Sequence, residues 1–162
     1  MTRHEKIEGK LDKEIAAFFK TSKLSLRSKQ VSYEKFLEDK MLIIAAIRTG
    51  IPYSLFELIQ NYTPFSENDW ANFLDISTKS LQRYRTSSGH HFKPIHSEKI
   101  IEMAEVTKVG LDVFGNSEKL KLWLNTPCYA LGKLKPIELL KDSYGKEMVI
   151  AELNRINHGI LV

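Results

Sequence analysis

The sequence predicts an all-α protein. Apolar residues recur at three- and four-residue spacing along most of the chain, and capping or stopping residues bracket those patterns. The one run with strand-like β-branched content, Met41 to Ile47, has no second run to pair with, so a helix is expected there.

Taken in order, residues 1–31 are expected to be a weakly ordered basic segment. It holds a short amphipathic stretch (Leu11, Ile15, Phe18, Phe19) and a Ser-rich linker from Ser22 to Gln30. Ser32 precedes a helical pattern through Tyr33, Phe36, Leu37, Met41, Ile44 and Ala45, read as one helix that Gly50 closes. Pro52 and Ser54 punctuate, and Leu55 to Gln60 reads as another helix. After Pro64, Ser66 with Asp69 three residues on has the form of a capping pair. Ser97 is the expected N-cap of a long helix whose stripe runs Ile100, Ile101, Ala104, Thr107, Leu111 and Phe114, stopped by Gly115. Ser117 opens a short helix in which Trp123 and Leu124 are expected core residues. Pro136 suits the first position of a helical turn, and a last helix is expected over Ser143–Asn157 with Gly159 as its stop.

The 162 residues suffice for one ordinary domain or two small ones. A seven-residue apolar run is too short to span a membrane, and the N-terminus lacks the form of a secretory signal. A single cysteine, Cys128, excludes an internal disulfide and a thiolate-rich zinc site, so a cytoplasmic setting is expected. Cys128 itself is expected to pack as a small apolar residue beside Pro127.

The net charge of +4 is unevenly spread. Residues 1–96 hold 15 Lys/Arg against 11 Asp/Glu, while residues 97–162 hold 9 of each. From Ile76 to Ser97 there is no acid, but there are Lys79, Arg83, Arg85 and Lys93 with His90, His91 and His96. Such a stretch suits a polyanion, because each cation paired with a phosphate releases a condensed counterion. A solvated basic loop is the alternative.

The most informative segment runs from Glu67 to Thr86. Trp70 and Leu74 share one helical face with small Ala71 beside them, and Asp75-Ile76 interrupts the period. Ser77 then precedes a second helix whose Leu81 and Tyr84 face inward. Two short helices joined by a tight turn resemble a helix-turn-helix, although Asp75 stands where glycine is usual. The outward face of the second helix is Ser77, Thr78, Lys79, Gln82, Arg83 and Thr86, side chains suited to base edges and phosphates. One such module buries little surface on DNA, so a homodimer reading two half-sites is expected.

The C-terminal part carries a second, more specific pattern. Val113-Phe-Gly115, Trp123-Leu124, Pro127, Ala130-Leu-Gly132, Pro136-Ile-Glu-Leu-Leu140, Gly145 and Arg155-Ile-Asn-His-Gly159 resemble the toxin-binding domain of the Xre/ParS/MbcA-type antitoxins. Arg48-Thr-Gly-Ile-Pro52 and the helix-turn-helix align with that family's first domain, so the resemblance covers roughly residues 42–162. It implies an Xre-like helix-turn-helix bundle over 32–96 and a helical toxin-binding and dimerisation domain over 97–162. It further implies an antitoxin that inhibits a RES-domain, NAD-consuming toxin and autoregulates its operon on operator DNA. Its toxin contact would be Arg155 and His158 leading into Ile160, Leu161 and Val162, a tail that either plugs the toxin's pocket or folds onto its own core. The alternative is a free-standing dimeric helix-turn-helix regulator without a toxin partner.

No nucleophile elbow, P-loop, zinc-protease or dinucleotide fingerprint occurs, so no enzyme, cofactor or metal site is expected. The three histidines read as an exposed loop rather than a ligand set.

Overall fold

The computed structural model describes residues 1–20 and 31–159. Among them are ten α-helices and one 3-10 turn, and no strand. The helices are α1 (Arg3–Lys20), α2 (Tyr33–Glu38), α3 (Lys40–Thr49), α4 (Tyr53–Tyr62) and α5 (Glu67–Leu74). They continue as α6 (Thr78–Thr86), α7 (Pro94–Phe114), α8 (Ser117–Leu124), α9 (Pro136–Leu139) and α10 (Ser143–Asn157), with the 3-10 turn at Tyr129–Leu131. Among the described residues no helix is long and apolar enough to cross a membrane.

Two compact units result. The first joins Met1–Tyr62 to Lys79–Ile101, and the second joins Thr63–Thr78 to Glu102–Val162. Helix α7 runs unbroken past residue 96, and the division between the two units falls inside that helix.

In the first unit the N-terminal segment departs from the expectation of weak order. Leu11, Ile15 and Phe19, four residues apart on α1, are at most 1% exposed. They pack α1 antiparallel to α4. Ser54 donates to Glu14 Oε1 at 2.7 Å near one end, and the Tyr62 hydroxyl donates to Glu8 Oε1 at 2.7 Å near the other. The linker Ser22 to Gln30 lies outside the described residues.

The helix expected from Ser32 to Gly50 is two. Ser32 caps α2 as anticipated, accepting from the Lys35 amide. Asp39 then leaves the helical region (φ −106°, ψ 102°), and its Oδ1 accepts from the amides of Met41 and Leu42 to start α3. A short acid that bonds its own following amides offers the backbone an alternative to continuing the helix.

Ser97 also departs from expectation. Pro94 starts α7, so Ser97 lies in its first turn and is fully buried. Its Oγ accepts from the Ile51 amide at 2.9 Å and donates to the Phe92 carbonyl at 3.2 Å. The Phe92 amide in turn donates to the Ile51 carbonyl at 2.8 Å, and Tyr53 N–H to His90 O at 2.9 Å. This clamp ties the loop after α3 to the segment that follows α6. Gly50 fits it in two ways: its φ is 91°, and a Cβ there would stand 2.6 Å from the Phe92 carbonyl oxygen.

The second unit is organised around aromatic and aliphatic packing. Phe65, Trp70 and Phe73 meet edge to face with centroids 5.0–5.9 Å apart. Leu124, Leu140, Val149 and Leu153 are at most 1% exposed, whereas Trp123, expected in the core, is half-buried against Phe114. Pro136 does start α9, and α10 has the anticipated bounds. Gly145 permits the close approach of α10 to the chain before it, since a Cβ there would collide with the Leu139 carbonyl. Lys146 pairs with Glu105 at 3.4 Å, and Ser143 donates to Glu102 at 3.2 Å, joining α10 to the C-terminal part of α7.

Candidate functional site

The segment α5–turn–α6 is built by its caps. Ser66 and Asp69 form a reciprocal capping box: Asp69 N–H donates to Ser66 Oγ at 3.1 Å, and Ser66 N–H to Asp69 Oδ2 at 2.9 Å. Asp75 ends α5 in the left-handed conformation (φ 53°, ψ 46°), as the sequence leads one to expect at the usual glycine position. The Ile76 amide returns to the Ala71 carbonyl at 3.0 Å, and Ala71 is buried at that bend. The division between the compact units passes just beyond this turn, between Thr78 and Lys79.

On α6, Leu81 is fully buried and Tyr84 half-buried. The residues expected to meet DNA fall on the other side. At 100° per residue, Thr78, Lys79, Gln82, Arg83 and Thr86 span an arc of about 140°. Ser77, Lys79, Gln82, Arg83 and Thr86 are exposed, and Thr78 is half-buried. The Arg83 guanidinium lies 5.8 Å from the centroid of the Tyr84 ring, and the residue stays exposed. Arg85, also exposed, donates from Nε to the Tyr53 hydroxyl at 3.3 Å and so joins α6 to the start of α4. The face offers hydroxyls, one amide and two cations to a ligand with both hydrogen-bonding edges and negative charge.

Charge follows the compact units more sharply than the two halves of the sequence. The first unit holds 16 Lys/Arg against 9 Asp/Glu, and the second 8 against 11. The positive excess thus lies wholly in the unit that contains α6 from Lys79 on.

The histidines depart from the expected exposed loop, and His96 lies half-buried in the first turn of α7. His91 is exposed, but His90 is half-buried, its ring stacked on Tyr84 at 3.8 Å and 9°. Burial, and then the positive charges of His91 and His96, hold its pKa below the usual imidazole value. Among the described residues no group of His, Cys, Asp or Glu is placed to hold a metal ion.

The second candidate site is the end of α10. Arg155 is half-buried, and its Nη1 pairs with Glu152 Oε2 at 3.0 Å on the same helix. His158 is exposed and caps the helix, its amide donating to the Asn154 carbonyl at 3.0 Å. Ile160, Leu161 and Val162 lie outside the described residues. Cys128 is half-buried, and its backbone also anchors a tight loop: its amide donates to Leu134 O, and its carbonyl accepts from Lys133 N, both at 2.9 Å. Sequence reading missed this loop and the Tyr84–His90 stack, because both depend on residues placed by a turn rather than by periodicity.

Comparison with known proteins supplies the context for both sites. Residues 42–105 match the family model described as the antitoxin Xre-like helix-turn-helix domain. Residues 110–159 match the antitoxin Xre/MbcA/ParS C-terminal toxin-binding domain. A curated relative, "Antitoxin Xre" of Photorhabdus laumondii subsp. laumondii, is 29% identical over 118 residues, 72% of this chain and 79% of that protein. The fold is similar to a chain in the crystal structure of the M. tuberculosis MbcT–MbcA toxin–antitoxin complex. The TM-score is 0.52 at 18% identity, covering 74% of this chain and 97% of that one.

Proposed function

The chain belongs to the Xre/MbcA/ParS antitoxins, and from that premise we propose that it neutralises a RES-domain, NAD-consuming toxin and represses its own operon by binding operator DNA. The observation that carries this reading is the order of the parts. A helix-turn-helix with an exposed face of Lys79, Gln82 and Arg83 is followed by a domain of the toxin-binding family over residues 110–159.

In this reading Arg83 takes a guanine edge, Gln82 an adenine edge, and Lys79 with Ser77, Thr78 and Thr86 takes backbone oxygens. Two copies bind together, because one α6 spans only part of a symmetric operator. At the other end, Arg155 leaves Glu152 for a charged group of the toxin, and His158 leads the tail Ile160–Val162 into the nucleotide pocket. There the apolar side chains exclude water and substrate. This chain holds no catalytic role; it acts by occupying the toxin.

The test is co-expression with the product of the adjoining reading frame. Restored growth and co-purification are the expected results. Continued growth arrest with both proteins present, and no complex, would leave the simple regulator as the better description.

A further inference from the structure

The N-terminal helix lies outside both family matches, and the helix-turn-helix does not use it. Arg3, Lys6, Ile7 and Lys10 recur along one side of α1 and, with Asn61 of α4, line a cleft of about 420 Å³. No carboxylate lines it. Each acid of α1 has another partner, and Glu14, one turn past Lys10, accepts from the Ser54 hydroxyl. Glu5 accepts from the Thr2 amide, Glu8 from the Tyr62 hydroxyl, and Asp12 from the Tyr33 amide. Among the described residues none of Arg3, Lys6 and Lys10 is in an ion pair.

Helix formation does not account for this arrangement. Cations in the first turn face the positive end of the helix dipole, and Lys6 with Lys10 is a like-charge pair at i, i+4. An anion in the cleft reverses both penalties.

The position narrows the choice of anion. The cleft lies in the unit that carries the chain's positive excess and α6 from Lys79 on. Helix α4 links the two: Tyr53 at its start takes the Arg85 hydrogen bond, and Asn61, eight residues on and so about 12 Å along the axis, forms the cleft wall. Phosphates recur every ~3.4 Å of axis along one strand, so that distance spans three to four of them. We propose that the α1–α4 cleft is a second phosphate-binding site, which holds the sugar–phosphate backbone of the duplex whose bases α6 reads. It rests on the DNA reading above and adds an affinity that is blind to sequence.

The experiment uses the full chain with Arg3→Gln, Lys6→Gln and Lys10→Gln combined, titrated with operator and with an unrelated duplex over a series of salt concentrations. The expected result is equal weakening on both duplexes. The slope of log affinity against log salt should become shallower by about 0.9 for each phosphate that is no longer neutralised. Lys6→Arg with Lys10→Arg should keep the slope, and circular dichroism should show the helices intact. A folded triple variant with an unchanged slope overturns the proposal. If the triple variant unfolds, Lys6→Gln alone decides it, with a slope change of about 0.9 expected and no change refuting it. If the unaltered chain binds neither duplex, the DNA reading falls first and takes this site with it.

Discussion

Replacing Ser97 with alanine tests the clamp that holds the end of the α6 segment. The side chain is fully buried and serves two backbone groups, accepting from Ile51 N–H and donating to Phe92 C=O. Ser97→Ala leaves the Ile51 amide without an acceptor in a site closed to water, and the smaller side chain opens almost no cavity. An orphaned buried donor costs about 1–3 kcal/mol, so a loss near 2 kcal/mol is expected. For a chain of this length that lowers the unfolding midpoint by roughly 4–8 °C. Urea denaturation followed by circular dichroism measures it, with the exposed loop residue Ser88→Ala as the control expected to change little. Because the clamp fixes residues 90–92, DNA affinity should fall with stability, and base preference should not change. A stability loss below about 0.5 kcal/mol would show that the two hydrogen bonds do not order this region.

Arg83→Ala and Gln82→Ala should weaken operator binding without unfolding the chain, since both side chains are exposed. For Arg83 the loss should be about 1–3 kcal/mol and confined to sequences that keep its base; equal weakening on every duplex would reassign it to a phosphate. Light scattering at micromolar concentration should give a homodimer, and a monomer unchanged by operator would contradict the paired half-site reading. Stability should also fall as pH drops. His90 has a folded pKa below its unfolded value near 6.5, so the unfolded chain takes the proton first. Below that value stability declines until the folded pKa is passed, and His90→Phe should flatten this part of the profile.

The legible parts of this protein were those in which one residue fixes one local geometry. The Ser66–Asp69 box, the left-handed Asp75, Pro136 at a helix start and the Gly159 stop each act within a turn of themselves, and each has the conformation the sequence suggests. What escaped depends on choices between equally local options. Asp39 ends one helix and begins the next, yet a polar residue inside an apolar period reads just as well as a solvated position. Ser97 resembles a cap, but Pro94 three residues earlier wins the helix start, which frees the hydroxyl for a tertiary bond. The order of α1 comes from burial against α4, a long-range gain that no N-terminal pattern announces. At the candidate sites, the exposure of Lys79, Gln82 and Arg83 followed from helical periodicity. The Glu152 partner of Arg155 is an i, i+3 neighbour that was legible but overlooked.

The central claim is that the C-terminal end of this chain silences a toxin that consumes NAD. The most direct measurement is the cellular NAD level when the product of the adjoining reading frame is expressed with the full chain, and with a chain ending at Ile156. The account predicts that NAD is preserved with the full chain and depleted with the truncated one, while the truncated chain keeps its unfolding midpoint and its affinity for operator. NAD preserved equally by both chains would contradict it and move the toxin contact to the surface between Asn125 and Tyr144.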